Sequence, residues 1–207
     1  MTGTDGPVRV LLADDENLIR TALAQMLNLE DDLAVVAEAA TGDEALAAAV
    51  HHGVDVAVLD LQMPGPDGIT VAERLAAALP GCRCVIVTSH GRPGHLKRAL
   101  ASGVRGFLPK TTSAATLAEV VRTVHRGGRY VDPQLAAEAI SAGDSPLTPR
   151  EADVLELAAD GLPVDEIARR ASLSPGTVRN YLSSAVGKLD AGNRHEACAK
   201  ARRLGWI

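Results

Sequence analysis

Aromatic residues are nearly missing from this 207-residue chain: one Phe, one Trp and two Tyr make up 2% of it. Ala, Val and Leu must therefore fill any core. Cysteine is scarce as well, with three residues at Cys82, Cys84 and Cys198. Three thiols do not make a disulfide framework, and neighbours as close as Cys82 and Cys84 rarely bridge. They read as reduced thiols of a cytoplasmic protein. A metal site at Cys82-Arg83-Cys84 is disfavoured on sequence, because Cys84 begins a buried strand and no His or Cys pair lies nearby in sequence. No apolar run reaches the ~18 residues of a membrane span. Met1 to Pro7 carry neither the basic nor the apolar region of a secretion signal. A Gly-rich nucleotide loop and a Ser-His-Asp pattern are also lacking, and the six His are scattered.

What is present suits one large domain or two small ones. Hydrophobic residues at 46% are ample for a core, and 23% charged is ordinary. The net charge of −5 hides an asymmetry. From Pro146 onward there are nine basic and eight acidic residues; before it there are twelve basic and eighteen acidic. An acidic half joined to a near-neutral half with clustered arginines fits two domains with different partners.

The first part alternates strands and helices. Strands are expected at Val8–Ala13, Leu33–Ala37, Val54–Leu59, Arg83–Val87 and Gly106–Leu108. Helical spacing separates them; Leu18, Ala22, Met26 and Leu29 mark the first helix. Such alternation means parallel βα units, here an α/β doubly wound, five-stranded parallel sheet. Gly127 to Pro146 reads as a connector with a short Ala-rich helix, and Ser141 to Pro146 as flexible linker. The second part is all helical. Thr148-Pro149-Arg150-Glu151 is a capping box with Pro at the first helical position. Ser174-Pro175 opens another helix to about Leu189, with Val178, Leu182, Val186 and Leu189 on one face. Asn193-Arg194-His195-Glu196 opens the last. The division is thus residues 1–127, a linker at 128–146, and a helical domain at 147–207.

Asp60 is the most informative residue. It ends a β-branched apolar run, and Pro64-Gly65-Pro66-Asp67-Gly68 follows as a turn. A carboxylate at the C-terminal end of a parallel strand lies at the ligand-binding edge of an open α/β sheet. Asp14-Asp15 follow the first strand, Thr88 ends the fourth, and Lys110 follows the fifth. A sheet-edge Asp can attack a phosphoryl group if a divalent cation offsets the repulsion, and Mg²⁺ takes a few carboxylates, carbonyls and waters. Asp14, Asp15, Asp60 and the carbonyl of Gln62 are the candidate ligands. Lys110 would pair with one phosphoryl oxygen, and Thr88 would donate to another.

From Val8 to Gly127, these motifs resemble the receiver domain of bacterial two-component response regulators. The resemblance implies phosphorylation of Asp60 by a sensor histidine kinase, with Mg²⁺ held by Asp15 and Asp14. It implies an enzyme only in the narrow sense of self-directed phosphoryl transfer and slow autodephosphorylation. Thr88 and Phe107 stand at the family's switch positions. Lys110-Thr111 departs from the Lys-Pro of many receivers.

From Leu147 to Leu204 the chain resembles the DNA-binding domain of the NarL/LuxR family. The match runs through Leu-Thr-Pro-Arg-Glu, Glu166-Ile167-Ala168, Gly176-Thr177-Val178-Arg179-Asn180 and Lys188-Leu189. A helix-turn-helix of this kind places its second helix in the major groove of operator DNA. Arg179, Asn180 and Ser183 face out; Arg can read guanine and Asn adenine. Ser174 and Thr177 at the helix start and Lys188 near its end are further candidate DNA contacts, Lys188 to phosphate. Pro163 replaces a frequent Ser or Thr, and Tyr181 a frequent His. The Thr177–Tyr181 segment and the Gly205-Trp206-Ile207 ending resemble the subgroup that includes the membrane-lipid desaturation regulator.

The resemblance implies a phosphorylation-switched transcription regulator that dimerises when phosphorylated, with RNA polymerase a candidate partner and no membrane role. Two other readings compete. Haloacid-dehalogenase phosphatases use similar groups, but need an Asp two residues after the nucleophile, where this chain has Gln62. A phosphorylation-independent DNA-binding protein would not need Asp14, Asp15, Asp60 and Lys110 intact.

Overall fold

The computed structural model describes residues 6–89, 91–141 and 145–207. Part of the expected linker, Ala142 to Asp144, lies outside the described residues, as does the segment Met1 to Asp5. The chain divides into two compact units, one of Met1–Gly91 with Lys97–Pro133 and one of Arg92–Leu96 with Gln134–Ile207.

The first unit holds a parallel sheet of β1 (Val8–Ala13), β2 (Leu33–Ala39), β3 (Val56–Asp60), β4 (Arg83–Thr88), β5 (Gly106–Pro109) and β6 (Tyr130–Val131), in the order β2-β1-β3-β4-β5-β6. Six strands replace the expected five. Tyr130 and Val131 pair with Gly106 and Phe107. Two residues are too short to show any period, so sequence pattern assigned them to the connector.

Strand alternation sends side chains to two faces. Val10, Leu12, Val56, Val58, Val85, Val87 and Leu108 face one side. There they pack on Ala24 and Leu27 of α1 (Asn17–Leu27) and on Leu117, Val120, Val121 and Val124 of α5 (Ala114–His125). Leu11, Ala57, Leu59, Ile86 and Phe107 alternate with them and are fully buried. The helices α2 (Gly42–His52), α3 (Gly68–Ala78) and α4 (Pro93–Ala101) complete the βα succession. The apolar stripe expected to mark the first helix is its outward one: Leu18, Met26 and Leu29 are 83%, 51% and 82% exposed. The helix carries a second stripe, Leu23, Ala24 and Leu27, and this one meets the sheet.

The second unit contains α6 (Pro133–Ser141), α7 (Pro149–Ala159), α8 (Val164–Arg170), α9 (Pro175–Lys188) and α10 (Arg194–Arg203). Thr148 and Glu151 make the expected capping box. Ser174 and Asn193 each accept a hydrogen bond from the third residue beyond. At the last of these the box does not close on the cap itself: Glu196 accepts instead from the Gly192 N–H at 2.8 Å. Val154, Leu155, Ile167, Val178, Leu182, Ala185, Ala197 and Ala201 form the core. The Ala197–Ala201 side of α10 is thereby spent inside its own domain.

Candidate functional site

In an open parallel sheet, the C-terminal strand ends beside a reversal of strand order form a crevice. Here the order reverses between β1 and β3. Asp14 and Asp15 follow β1, Asp60 ends β3, Thr88 ends β4 and Lys110 follows β5. Asp14, Asp60 and Thr88 are buried, at 6%, 6% and 2% exposure. Carboxylate oxygens of Asp14, Asp15 and Asp60 lie within 4.8 Å of one another.

The Lys110 ammonium sits among them, 2.9 Å from Asp14, 3.0 Å from Asp60 and 2.8 Å from Glu16. Three carboxylates therefore meet one ammonium, and Asp15 stands beside two of them. Two carboxylates 4.8 Å apart repel by about 3 kcal/mol at an effective dielectric of about 20. Burial pushes the Asp60 carboxyl up to about 6; hydrogen bonding and charge from Lys110 oppose this, while Asp14 adds to it. Burial alone would lower the Lys110 amine, but its hydrogen bonds to Glu16, Asp14 and Asp60 prevail and hold it well above the ordinary range. A permanent ammonium thus faces a carboxylate cluster with surplus negative charge, which is the donor set a hard divalent cation takes.

The loop after Asp60 is held tightly. Gln62 N–H donates to Asp60 Oδ1 at 3.3 Å. Gly68 N–H donates to the Leu61 carbonyl at 3.1 Å. A Cβ on Gly68 would stand 2.2 Å from the Asp60 carbonyl oxygen, so only glycine permits this approach. Asp67 caps α3 and receives Arg98 at 2.7 and 3.2 Å. Burial opposes the charged form of Asp67, yet Arg98 and Thr70 hold its carboxyl below the usual range. On the far strands, the Lys110 N–H donates to the Thr88 carbonyl at 2.8 Å, and Phe107 is fully buried beside Ile86. No cis peptide bond occurs among the described residues, so the Lys110-Thr111 link is trans.

The structure brings together Asp14, Asp15, Asp60 and Lys110, with Gln62 joined through its amide. Sequence reasoning missed Glu16. The acidic run Asp14-Asp15-Glu16 was its only signal, and nothing there fixes a contact to a residue 94 positions away.

In the second unit, α9 presents Arg179, Asn180 and Ser183 to solvent while Val178, Leu182 and Ala185 are buried. The Ser174 and Thr177 hydroxyls lie 2.8 Å apart, and the Thr177 N–H donates to Ser174 Oγ at 3.1 Å. These two hydroxyls therefore close the helix start. Lys188, the candidate phosphate contact, is 36% exposed and pairs with the buried Glu151 at 2.7 Å. Glu151 also accepts from Ser184 Oγ at 2.6 Å and from the Thr148 N–H at 2.7 Å. Burial works against this carboxylate, but Lys188, Ser184 and Thr148 bring its carboxyl down to about 2.

A doubly wound sheet with this acidic edge, followed by a helix-turn-helix, defines a transcriptional response regulator. Residues 10–122 match the response regulator receiver domain, and residues 145–201 match the bacterial regulatory proteins of the luxR family. The chain is 40% identical over 200 residues to the transcriptional regulatory protein DesR of Bacillus subtilis (strain 168), covering 97% of this chain and 99% of that one. It is 39% identical to the transcriptional regulatory protein UhpA of Escherichia coli (strain K12), over 96% of this chain and all, 100%, of the relative. A solved complex of the two-component response regulator RcsB with DNA is similar at 25% identity and a TM-score of 0.61, covering 95% of this chain and 98% of that one. The chain belongs to the NarL/FixJ family of response regulators, whose DNA-binding domain is of the LuxR type.

Proposed function

We propose that Asp60 is the phospho-acceptor of this regulator and that its phosphorylation switches DNA binding. The observation that carries this reading is the buried Asp60 carboxylate at a strand end, 3.0 Å from Lys110 and within a three-carboxylate cluster. Asp60 Oδ attacks the phosphorus of a phosphoryl group carried on a kinase histidine, and the bond from phosphorus to the imidazole nitrogen breaks. Asp14, Asp15 and Asp60, with the Gln62 carbonyl, would hold a magnesium ion, which when bound offsets the charge shared by carboxylate and phosphoryl group. Lys110 leaves its Asp60 partner to pair with a phosphoryl oxygen. Thr88 donates its hydroxyl to another. The crevice thus serves the protein's own phosphoryl transfer, and water attack in the same crevice slowly returns Asp60 and inorganic phosphate.

The packing behind the crevice supports a route outward. Val87 and Leu108 are neighbours of Thr88 and Phe107 in the chain, and both belong to the core that holds α5 and the inner stripe of α1. A shift of Thr88 and Phe107 therefore presses on those helices. The exposed Leu18, Met26 and Leu29 beside them favour a second copy as the partner of that surface. A single helix-turn-helix offers few contacts, so two half-sites raise specificity. Residues 1–127 act as receiver, 128–146 as connector and 147–207 as the DNA reader, with Arg179, Asn180 and Ser183 toward bases. Such a protein works where DNA is, in the cytoplasm; among the described residues no helix is long and apolar enough to cross a membrane.

The acceptor is tested with acetyl phosphate and Mg²⁺. Mass spectrometry should find one phosphoryl group on the wild type and none on Asp60→Asn. Label retained at full occupancy in the Asn variant sinks the assignment.

A further inference from the structure

The sheet edge opposite Asp60 carries a second cluster. Cys82 immediately precedes β4 and Cys84 is its second residue. Residues two apart in a strand point to the same face, about 7 Å apart at Cα. Cys82 Sγ reaches the Arg83 carbonyl at 3.7 Å. Both residues are buried, yet both line a pocket of about 110 Å³. Ala72 and Ala76 of α3, Ser102, Arg83 and Arg105 form much of the rest of its wall. The buried strand beginning at Cys84 and the lack of a nearby His or Cys pair disfavour a metal on sequence alone, but the strand start borders a void that both cysteines line.

We propose that Cys82 and Cys84 form a two-sulfur site for a soft monovalent cation, of the copper(I) class. Thiolate ligands select soft ions. A structural zinc ion takes four ligands, and the pocket wall supplies no His, no carboxylate and no third Cys. Copper(I) is satisfied by two sulfurs. A disulfide is the poorer outcome, because a Cα separation of about 7 Å lies at the outer limit of disulfide geometry. On binding, each thiol gives up its proton to solvent and each sulfur lends a lone pair to the ion, with no change of oxidation state. The product carries one net negative charge, beside the guanidinium groups of Arg83 and Arg105. A pocket of about 110 Å³ has room for the ion and its approach. The site does not compete with the carboxylate crevice, whose oxygen ligands prefer hard cations.

The test is an anaerobic titration of the reduced full chain with copper(I) against a chromophoric chelator. One ion per chain should bind, with thiolate-to-copper absorption in the ultraviolet. Cys82→Ser and Cys84→Ser should each weaken binding by more than the about 100-fold that loss of a metal's outer-shell partner costs. Cys198→Ser should bind as the wild type does. Should a Ser variant fail to fold, the wild type still decides the matter. Bound copper should shield Cys82 and Cys84 from alkylation and leave Cys198 unchanged, as read by peptide mass spectrometry. Absence of stoichiometric binding, unchanged affinity in both Ser variants, or shielding of Cys198 alone overturns the proposal.

Discussion

Replacing Glu151 with Ala should destabilise the DNA-binding domain by about 3 kcal/mol. The carboxylate closes the capping box of α7 and reaches across to Ser184 and Lys188 on α9. Loss of the cap contributes about 1 kcal/mol. Breaking a charged hydrogen bond contributes about 1.5–3 kcal/mol, and the lower end applies because Lys188 is 36% exposed and recovers hydration. The carboxyl itself gives a consistent size: its fall from 4.5 to about 2 corresponds to about 3 kcal/mol. A domain of about 60 residues has only about 3–9 kcal/mol in all, so the loss is severe. The sign with pH follows from a depressed carboxyl. The contribution is whole above pH 4.5 and is lost as pH falls toward about 2. The chain has one Trp, Trp206, packed against this domain's core, so its fluorescence during urea unfolding reports this domain. Glu151→Gln should be weaker than wild type at neutral pH and should lose the pH dependence in that window. A change below about 1 kcal/mol in the Ala variant, with the acid dependence intact, refutes the reasoning.

Two further outcomes follow from close contacts and from the outward face of α9. Gly68→Ala should impair both stability and phosphoryl uptake, because its Cβ would meet the Asp60 carbonyl oxygen at 2.2 Å; uptake at the wild-type rate, timed with acetyl phosphate, contradicts this. Arg179→Ala and Asn180→Ala should each cost about 1–3 kcal/mol on specific DNA if each reads a base, and equal losses on random DNA would demote them to backbone contacts.

The parts of this protein that were legible in its sequence are those fixed by local pattern. Apolar runs gave the main strands, and Thr148, Ser174 and Asn193 gave the starts of three helices, because a cap needs only the next three residues. Asp14, Asp15, Asp60 and Lys110 were legible because each follows or ends a strand, and parallel strands bring such ends together. Long-range contacts were not legible. The pairing of Lys188, the candidate phosphate contact, with Glu151, 37 positions away, leaves no local signal. The stripe of Leu18, Met26 and Leu29 has helical spacing but no sign of which side it faces, and it faces out. The strand at Tyr130–Val131 is too short to show a period, and it forms only because Phe107 and Gly106 offer an open edge.

The central claim is that phosphorylation at Asp60 couples receiver assembly to DNA binding. Its most direct test is sedimentation of the wild type and Asp60→Asn, with and without the phosphoryl analogue beryllofluoride. Each run is repeated with DNA selected by the phosphorylated protein from a random pool. The wild type should pass from monomer to dimer with the analogue, and the selected DNA should favour the same dimer, since coupling between two binding events is reciprocal. Asp60→Asn should stay monomeric in the absence of DNA under both conditions. A wild type that remains monomeric with the analogue, yet binds the selected DNA more tightly, would contradict the dimer switch.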